Sequence, residues 1–416
     1  MDKNYHYFAV KAIAHTAGFG EAEAQAIATY SQYVDDYNET KPRIFEDVPK
    51  RAVPFCIHDP KKNKWTLLSV TTCLGWTDYY AYMQEEKQRN ITVPFHFITK
   101  NPLSEYTCFG EHDKDRHTLR VEKADMKGST RFVPLISAML CRARDQLWIK
   151  WNNETIMRIG MLLHIFADTH SHQSFSGFWG WENHSWIYQV KDKKDKKDIT
   201  KKYNRNFYYT LPSIGHANVN TSPDDSFAII SLAQKKDEHD DKYSKTISKD
   251  NTERFLLLSR EILDYLRICL RKNPVSDSEW DNIEPQFRQA LIEARGNDVE
   301  RTKKWQKYFP GVIFKYDSNK VLNESLSLAN TQMSTAEQEA AESIGIHPNV
   351  FALTGSEEFF MYNILAYEIR HEVNYGNRNF DSRERHIVEA EAKLKEYMQL
   401  EAAGLTIGDK KQDSYL

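Results

Sequence analysis

The chain has 416 residues, with 56 Lys and Arg against 59 Asp and Glu, and a formal charge of −3. Hydrophobic residues at 40% and charged residues at 28% exclude a disordered chain. The balanced charge excludes a surface built as a whole for nucleic acid or anionic membrane.

Thirteen Pro and sixteen Gly are few for this length and favour long helices over a turn-rich β fold. Five cysteines, Cys56, Cys73, Cys108, Cys141 and Cys269, are widely spaced with no C-x-x-C. They offer neither a disulfide frame nor a thiolate zinc knuckle and fit a reducing compartment. Residues 1–6 contain no apolar h-region, and no run approaches about 18 apolar residues. The expectation is a cytoplasmic protein without stable membrane insertion.

In chain order, apolar spacing predicts a helix over 7–17, a stop at Gly18 and a second helix over 21–33. Together they make a hairpin ending in Asp35 and Asp36. Segments 52–58, 65–75 and 91–99 are rich in β-branched and aromatic residues and are expected as short strands or extended pieces. Residues 110–130 are polar and loop-like. Strong helices are expected over 132–147 and 153–172. The mixed-charge run 191–202 is expected as a solvated loop or insertion. Further helices are expected over 252–271, 280–295, 299–308, 334–344, 355–375 and 382–403, with capping boxes starting at Ser276 and Ser334. The whole is mainly α with a few short strands. A soft boundary near 309–330 divides a metal-binding helical domain, 1–310, from a C-terminal helical extension, 311–416.

The fifteen histidines are the most informative feature. His164, Asp168 and His172 recur every fourth residue on an apolar helix. At about 100° per residue successive members drift only about 40°, so all three share one face. Imidazole and carboxylate one turn apart can reach one divalent ion, the geometry that lets H-E-x-x-H helices hold zinc. A hydrogen-bond network would also satisfy that ionisable face, and burying it unpaired is costly. His170 points elsewhere, to the surface or to a supporting position. A hairpin brings its outer ends together, so His6 can neighbour Asp35 and Asp36. His96 sits in an apolar stretch, and His216 precedes Asp224 and Asp225. Phe175, Phe178, Trp179, Trp181 and Trp186 follow the ligand-bearing helix and could stack a base, line a lipid pocket or pack the core. Glu182 and His184 could support ligands.

The order His6, Asp35/Asp36, His96, His164-x3-Asp168, His216, Asp224 resembles zinc-dependent phospholipase C and the related single-strand-specific nucleases. The segment Leu163 to His172 is the strongest local match. Pieces around Tyr5–Tyr7, Ser31–Asp36, Pro94–Phe97, His164–Gly177 and Ile214–Ala217 are more closely similar to an uncharacterised bacterial domain family with no assigned reaction. The resemblance covers about residues 1–230. It implies a multi-helix bundle gathering two or three ions, zinc or else manganese or iron. The implied ligands are His6, Asp35 or Asp36, His96, His164, Asp168, His172 and His216. Asp168 or the Asp35/Asp36 pair would bridge two ions. Three departures matter. The amino-terminal Trp ligand of those enzymes is absent. Ser174 stands where a later His is usual, leaving His172 as substitute. Asn220 lies four residues after His216, so Asp224 must serve as the final carboxylate. Two ions are therefore the safer expectation.

The implied chemistry is metal-assisted hydrolysis of a phosphoester, with Asp168 also orienting the nucleophile. A phospholipid head group, single-stranded nucleic acid or a small phosphodiester all remain open, nucleic acid only as substrate. Two other readings compete. One is an HD-type phosphohydrolase, using a pair such as His58-Asp59, His112-Asp113 or His239-Asp240. The other is a metal-stabilised scaffold or partner-binding protein without catalysis.

Overall fold

A computed structural model describes residues 2–38, 42–61, 63–75, 79–126, 134–203, 212–240, 245–321 and 357–376. The expected helices 334–344 and 382–403, and the Ser334 cap, lie outside the described residues.

Two compact units are distinguished. The first comprises 1–37, 72–316 and 372–376, and holds every candidate site residue. It opens with a π-helical turn, Asn4–Ala9, that runs into α1, Val10–Ala17. Gly18, at φ +101°, ends α1 in the left-handed region that suits glycine. Helix α2, Glu21–Asp36, returns antiparallel and brings Asp35 back to the level of His6. The segment expected to be extended over 91–99 is instead helical. A π-turn, Gln88–Thr92, leads into α3, Val93–His96. Pro94 sits in its first turn, where a missing N–H costs nothing.

Helices α4, Leu135–Ile149, and α5, Asn153–Ser171, follow. A capping box starts α5: Asn152 Oδ1 accepts from the Thr155 N–H at 3.0 Å, and the Asn152 N–H donates to Thr155 Oγ1 at 3.3 Å. Every residue of 159–172 is buried, because α5 packs against α2, α3, α4 and α6. Gly160 permits the closest approach: a Cβ there would meet the Ile27 backbone oxygen of α2 at 2.6 Å. Gly160→Ala normally favours a helix by about 1 kcal/mol, but here two backbones must part. The expected net effect is a loss of about 1–3 kcal/mol, read from the denaturation midpoint.

After α5 comes a three-stranded antiparallel sheet that sequence patterning does not predict: β4, Ser185–Asp192; β5, Ala228–Gln234; β6, Lys245–Asp250, in that order. Its inner residues Ile187, Val190, Ile230 and Leu232 cluster with Phe97, Phe175 and Val219. The mixed-charge run is only partly loop. It finishes β4 and turns into a short helix, Thr200–Tyr203. Asp192 within it is held by Arg295, whose Nη2 lies 3.0 Å from Oδ1. Helices α6, Asn251–Cys269, α7, Asp277–Glu293, and α8, Asp298–Tyr308, complete the described part of this unit's helical frame. Ser276 and Glu279 form the expected capping box of α7.

The second unit takes in 38–71, 317–371 and 377–416. Its described part holds a small antiparallel sheet ordered β1, Pro42–Phe45, then β3, Lys64–Leu68, then β2, Ile57–Asp59, and most of the helix Glu357–Tyr375. Phe45 packs on Phe360 with ring centroids 4.8 Å apart, and the Val70 N–H donates to Asn363 Oδ1 at 2.8 Å. Of the expected extended segments, 65–75 is strand only to Leu68, and 52–58 begins as a 3-10 turn, Val53–Phe55. No described helix is long and apolar enough to cross a membrane.

Candidate metal centre

Five segments far apart in sequence deliver imidazoles and carboxylates to one buried place. The Asn4–Ala9 turn is pinned by Asn4, which donates to Ser226 Oγ and accepts from the Trp305 indole. That fixes His6, fully buried, with Nε2 3.1 Å from Asp168 Oδ1 and 3.9 Å from Asp35 Oδ2. The end of α2 supplies Asp35, and α3 supplies His96. His96 Nδ1 lies 3.3 Å from Asp168 Oδ2 and 3.7 Å from Asp35 Oδ1. Helix α5 supplies His164, whose Nε2 lies 3.4 Å from Asp168, 3.7 Å from Asp35 and 3.3 Å from His96 Nδ1. A second group sits beside it. His172 Nε2 lies 3.1 Å from Asp224 Oδ1, and His216 Nε2 lies 3.2 Å from Asp224 Oδ2. Asp168 Oδ2, 3.7 Å from His172 Nδ1, stands between the two groups. Among the described residues, three sets of donor atoms each fall within 4.8 Å of one another: His6, Asp35, His164; His96, His164, Asp168; and His172, His216, Asp224.

The outer ring nitrogens are anchored to backbone. His164 Nδ1 donates to Ser31 O at 2.7 Å, and His172 Nδ1 to His96 O at 2.7 Å. His96 Nε2 donates to Thr72 O at 2.8 Å, and His216 Nδ1 to Asn220 O at 2.7 Å. These bonds assign the tautomers. Each inner nitrogen then carries a lone pair directed at the carboxylates, the arrangement in which supporting hydrogen bonds orient metal-binding histidines. His164 Nε2 and His96 Nδ1 face each other at 3.3 Å. Two lone pairs cannot stay that close in a buried space without a cation or a proton between them.

Electrostatics follow from this crowding. Burial alone would raise Asp168, but the imidazoles of His172, His164 and His6 hold its carboxyl well below the usual range. Asp224 is lowered likewise, by His216 and His172 against burial. Asp35 goes the other way: burial raises it, outweighing His164 and His96. Burial lowers His6 and His172. His96 is raised: burial opposes this, but hydrogen bonds to Asp168 and Cys73 and the nearby Asp35 charge together outweigh it. In the ion-free state a proton on His96 therefore takes the cation's place. The donor set, all imidazole and carboxylate, fits borderline divalent ions such as zinc. His6 Nδ1, on the other side of its ring from Asp168, is buried without a hydrogen-bond partner.

Of the expected ligands, His6, Asp35, His96, His164, Asp168, His172, His216 and Asp224 converge. Asp36 does not: it accepts from Tyr316 and Gln32 instead. His170 is neither at the surface nor in support; it is buried with Nε2 4.0 Å from Glu261. Glu182 does not touch the ligands but pairs with Arg116. His184 is half-buried, and burial lowers it. Phe175, Phe178 and Trp181 pack as core, while Trp179 and Trp186 are partly exposed. The adjacent His-Asp pairs are separate. His58 stacks on Trp65, Asp113 caps a 3-10 turn, and His239 reaches Glu238.

Arg254 of α6 was not foreseen. Its guanidinium donates to His170 O, Ser171 O and Pro223 O, tying the end of α5 to the loop that carries Asp224. The carbonyls of Ser31, Thr72 and Asn220 were not foreseen either. Backbone acceptors leave no mark in a sequence.

Residues 1–375 match the model of a family of unknown function (DUF6765). No curated protein and no solved structure matches the chain.

Proposed function

The chain belongs to the DUF6765 family, and we propose that it is a metal-dependent hydrolase of phosphoesters, with phosphodiesters as the first class to test. The observation that carries this reading is the pair of inner nitrogens, His164 Nε2 and His96 Nδ1, 3.3 Å apart and both oriented by backbone carbonyls. Such a pair needs a cation or a proton between its lone pairs, and the surrounding carboxylates favour a divalent ion. We assign His6, Asp35, His96, His164 and Asp168 to one centre and His172, His216 and Asp224 to a second, with Asp168 between them. This set also supports the likeness to zinc-dependent phospholipase C, whose helix bundle would place these residues in the same order.

These residues would hold two divalent ions, which would supply Lewis acidity towards a phosphoryl group and lower the pKa of a bound water. The chain's own residues do the rest. Asp168, kept ionised by its imidazole neighbours, accepts a hydrogen bond from the attacking water and orients it. Asp35, 27% exposed at the rim, is the carboxylate nearest solvent and is placed to accept that water's proton. The four carbonyl anchors keep the imidazoles from turning as charge moves.

Metal per chain, measured on protein purified without a nickel column, is expected to be two or three equivalents. Hydrolysis of bis(p-nitrophenyl) phosphate is expected to vanish on chelation and return with zinc or manganese. Bound metal with no hydrolysis of any phosphodiester would leave a metal-stabilised scaffold. A folded protein without metal would sink both readings.

A further inference from the structure

The turn joining α4 to α5 presents apolar side chains to solvent. Ile149 is 86% exposed, Trp151 49% and Trp148 38%. Neither Trp is loose: Trp148 Nε1 donates to Cys269 O at 2.9 Å, and Trp151 stacks on Phe19 with centroids 5.8 Å apart. Cations surround this tip. The Arg144 and Arg271 guanidinium groups lie 4.9 and 5.6 Å from the Trp148 ring centroid. Lys150 lies between the exposed residues, and Lys272 donates to Ala17 O beside Phe19. Of these, Arg144 is paired with Asp145. The chain as a whole is slightly acidic, whereas Lys150, Arg271 and Lys272 cluster at this end of the hairpin.

We propose that the α4–α5 tip docks reversibly on an anionic phospholipid surface. Fixed Trp rings, one protruding aliphatic side chain and a collar of Lys and Arg are what the boundary between headgroups and acyl chains rewards. Each cation adds attraction to an anionic leaflet. A stable protein interface needs roughly 20–30 residues a side, whereas this patch is three apolar side chains at a hairpin end. The proposal is independent of the metal reading. His164 lies eleven residues beyond the first residue of α5, roughly 17 Å along the helix.

The test is co-sedimentation of the full chain with phosphatidylcholine vesicles, with and without phosphatidylserine, at low and high salt. Binding is expected to the anionic vesicles, weakening as salt rises. Ile149→Asp and Lys150→Glu are each expected to lower partitioning on the order of tenfold, with helix content and metal content unchanged. Val299→Asp, at another exposed apolar residue (63%) on α8, is expected to bind like the parent. Absence of binding to anionic vesicles overturns the proposal, as does equal binding by the tip variants. So does a fall from dimer to monomer in the tip variants without vesicle binding by the parent, which would make the tip a contact between copies.

Discussion

Replacing Asp168 by Asn is expected to empty the cluster while leaving its shape. The amide is nearly isosteric, but it removes the charge that faces His6, His96 and His164 at 3.1–3.4 Å. Leaving buried, hydrogen-bonded charge without its partner costs about 3–5 kcal/mol. Metal affinity should therefore fall by roughly 10²–10⁴-fold, and any phosphodiesterase activity with it. Competition against a chromophoric chelator reads the first and steady-state assay the second. The same carboxyl predicts an acid limb in the metal-free protein. Its folded pKa is depressed, so its contribution to stability is complete above the unfolded value of about 4 and drains away as pH falls towards the folded value. Thermal midpoints of the apo parent should drop over that range, and Asp168→Asn should lack this component. Equal metal affinity in parent and variant would remove Asp168 from the centre.

The second large effect is expected away from the ligands. Arg116 and Glu182 are both fully buried. Arg116 Nε and Nη2 reach the two Glu182 oxygens at 2.6 and 2.7 Å. The remaining guanidinium protons go to the carbonyls of Phe109, Gly110 and Trp179. Arg116→Met leaves Glu182 charged in a closed space and is expected to cost about 3–5 kcal/mol in chemical denaturation. Replacing both partners by apolar residues should cost less than the single change, because no unpaired charge remains. The damage should also reach the second group of ligands. Ser176 bonds Glu182 through its hydroxyl, and its carbonyl accepts from the Gly215 N–H, next to His216. Arg116→Met with unchanged stability would show that the pair contributes nothing.

What was legible in the sequence was whatever repeats along one element. Helices α1, α2, α4 and α5 follow from apolar spacing, and His164, Asp168 and His172 share a face because four residues make about one turn. His6 and Asp35 were legible as a hairpin consequence. Asp35 and Asp36 could not be told apart by composition. The helix rotation decides it, turning Asp35 inward and Asp36 toward Tyr316. His96 was singled out correctly as an odd polar residue among apolar ones, yet its segment was misjudged. Val93, Phe95, Phe97 and Ile98 favour strand locally, but packing against α5 imposes a helix on Val93–His96. The sheet β4–β6 was missed because β4 follows an aromatic loop and carries a bulge between Ile187 and Gln189 that breaks strict alternation. The Asn220 position was read as a missing ligand. Asp224 takes the carboxylate's place, and Asn220, at φ +53°, contributes its carbonyl, which accepts from His216 Nδ1.

Exposure across the cluster is uneven, and this sets how fast its contents can change. His6, His164 and Asp168 have almost no contact with solvent, whereas Asp35, His96 and His216 are 27%, 14% and 19% exposed. Anything leaving the interior must pass that edge, and the imidazoles there are latched to the carbonyls of Thr72 and Asn220. Escape then waits on breathing of those backbone segments rather than on diffusion. An ion held in that interior would therefore exchange slowly, so chelation and reloading are expected to take far longer than simple diffusion allows.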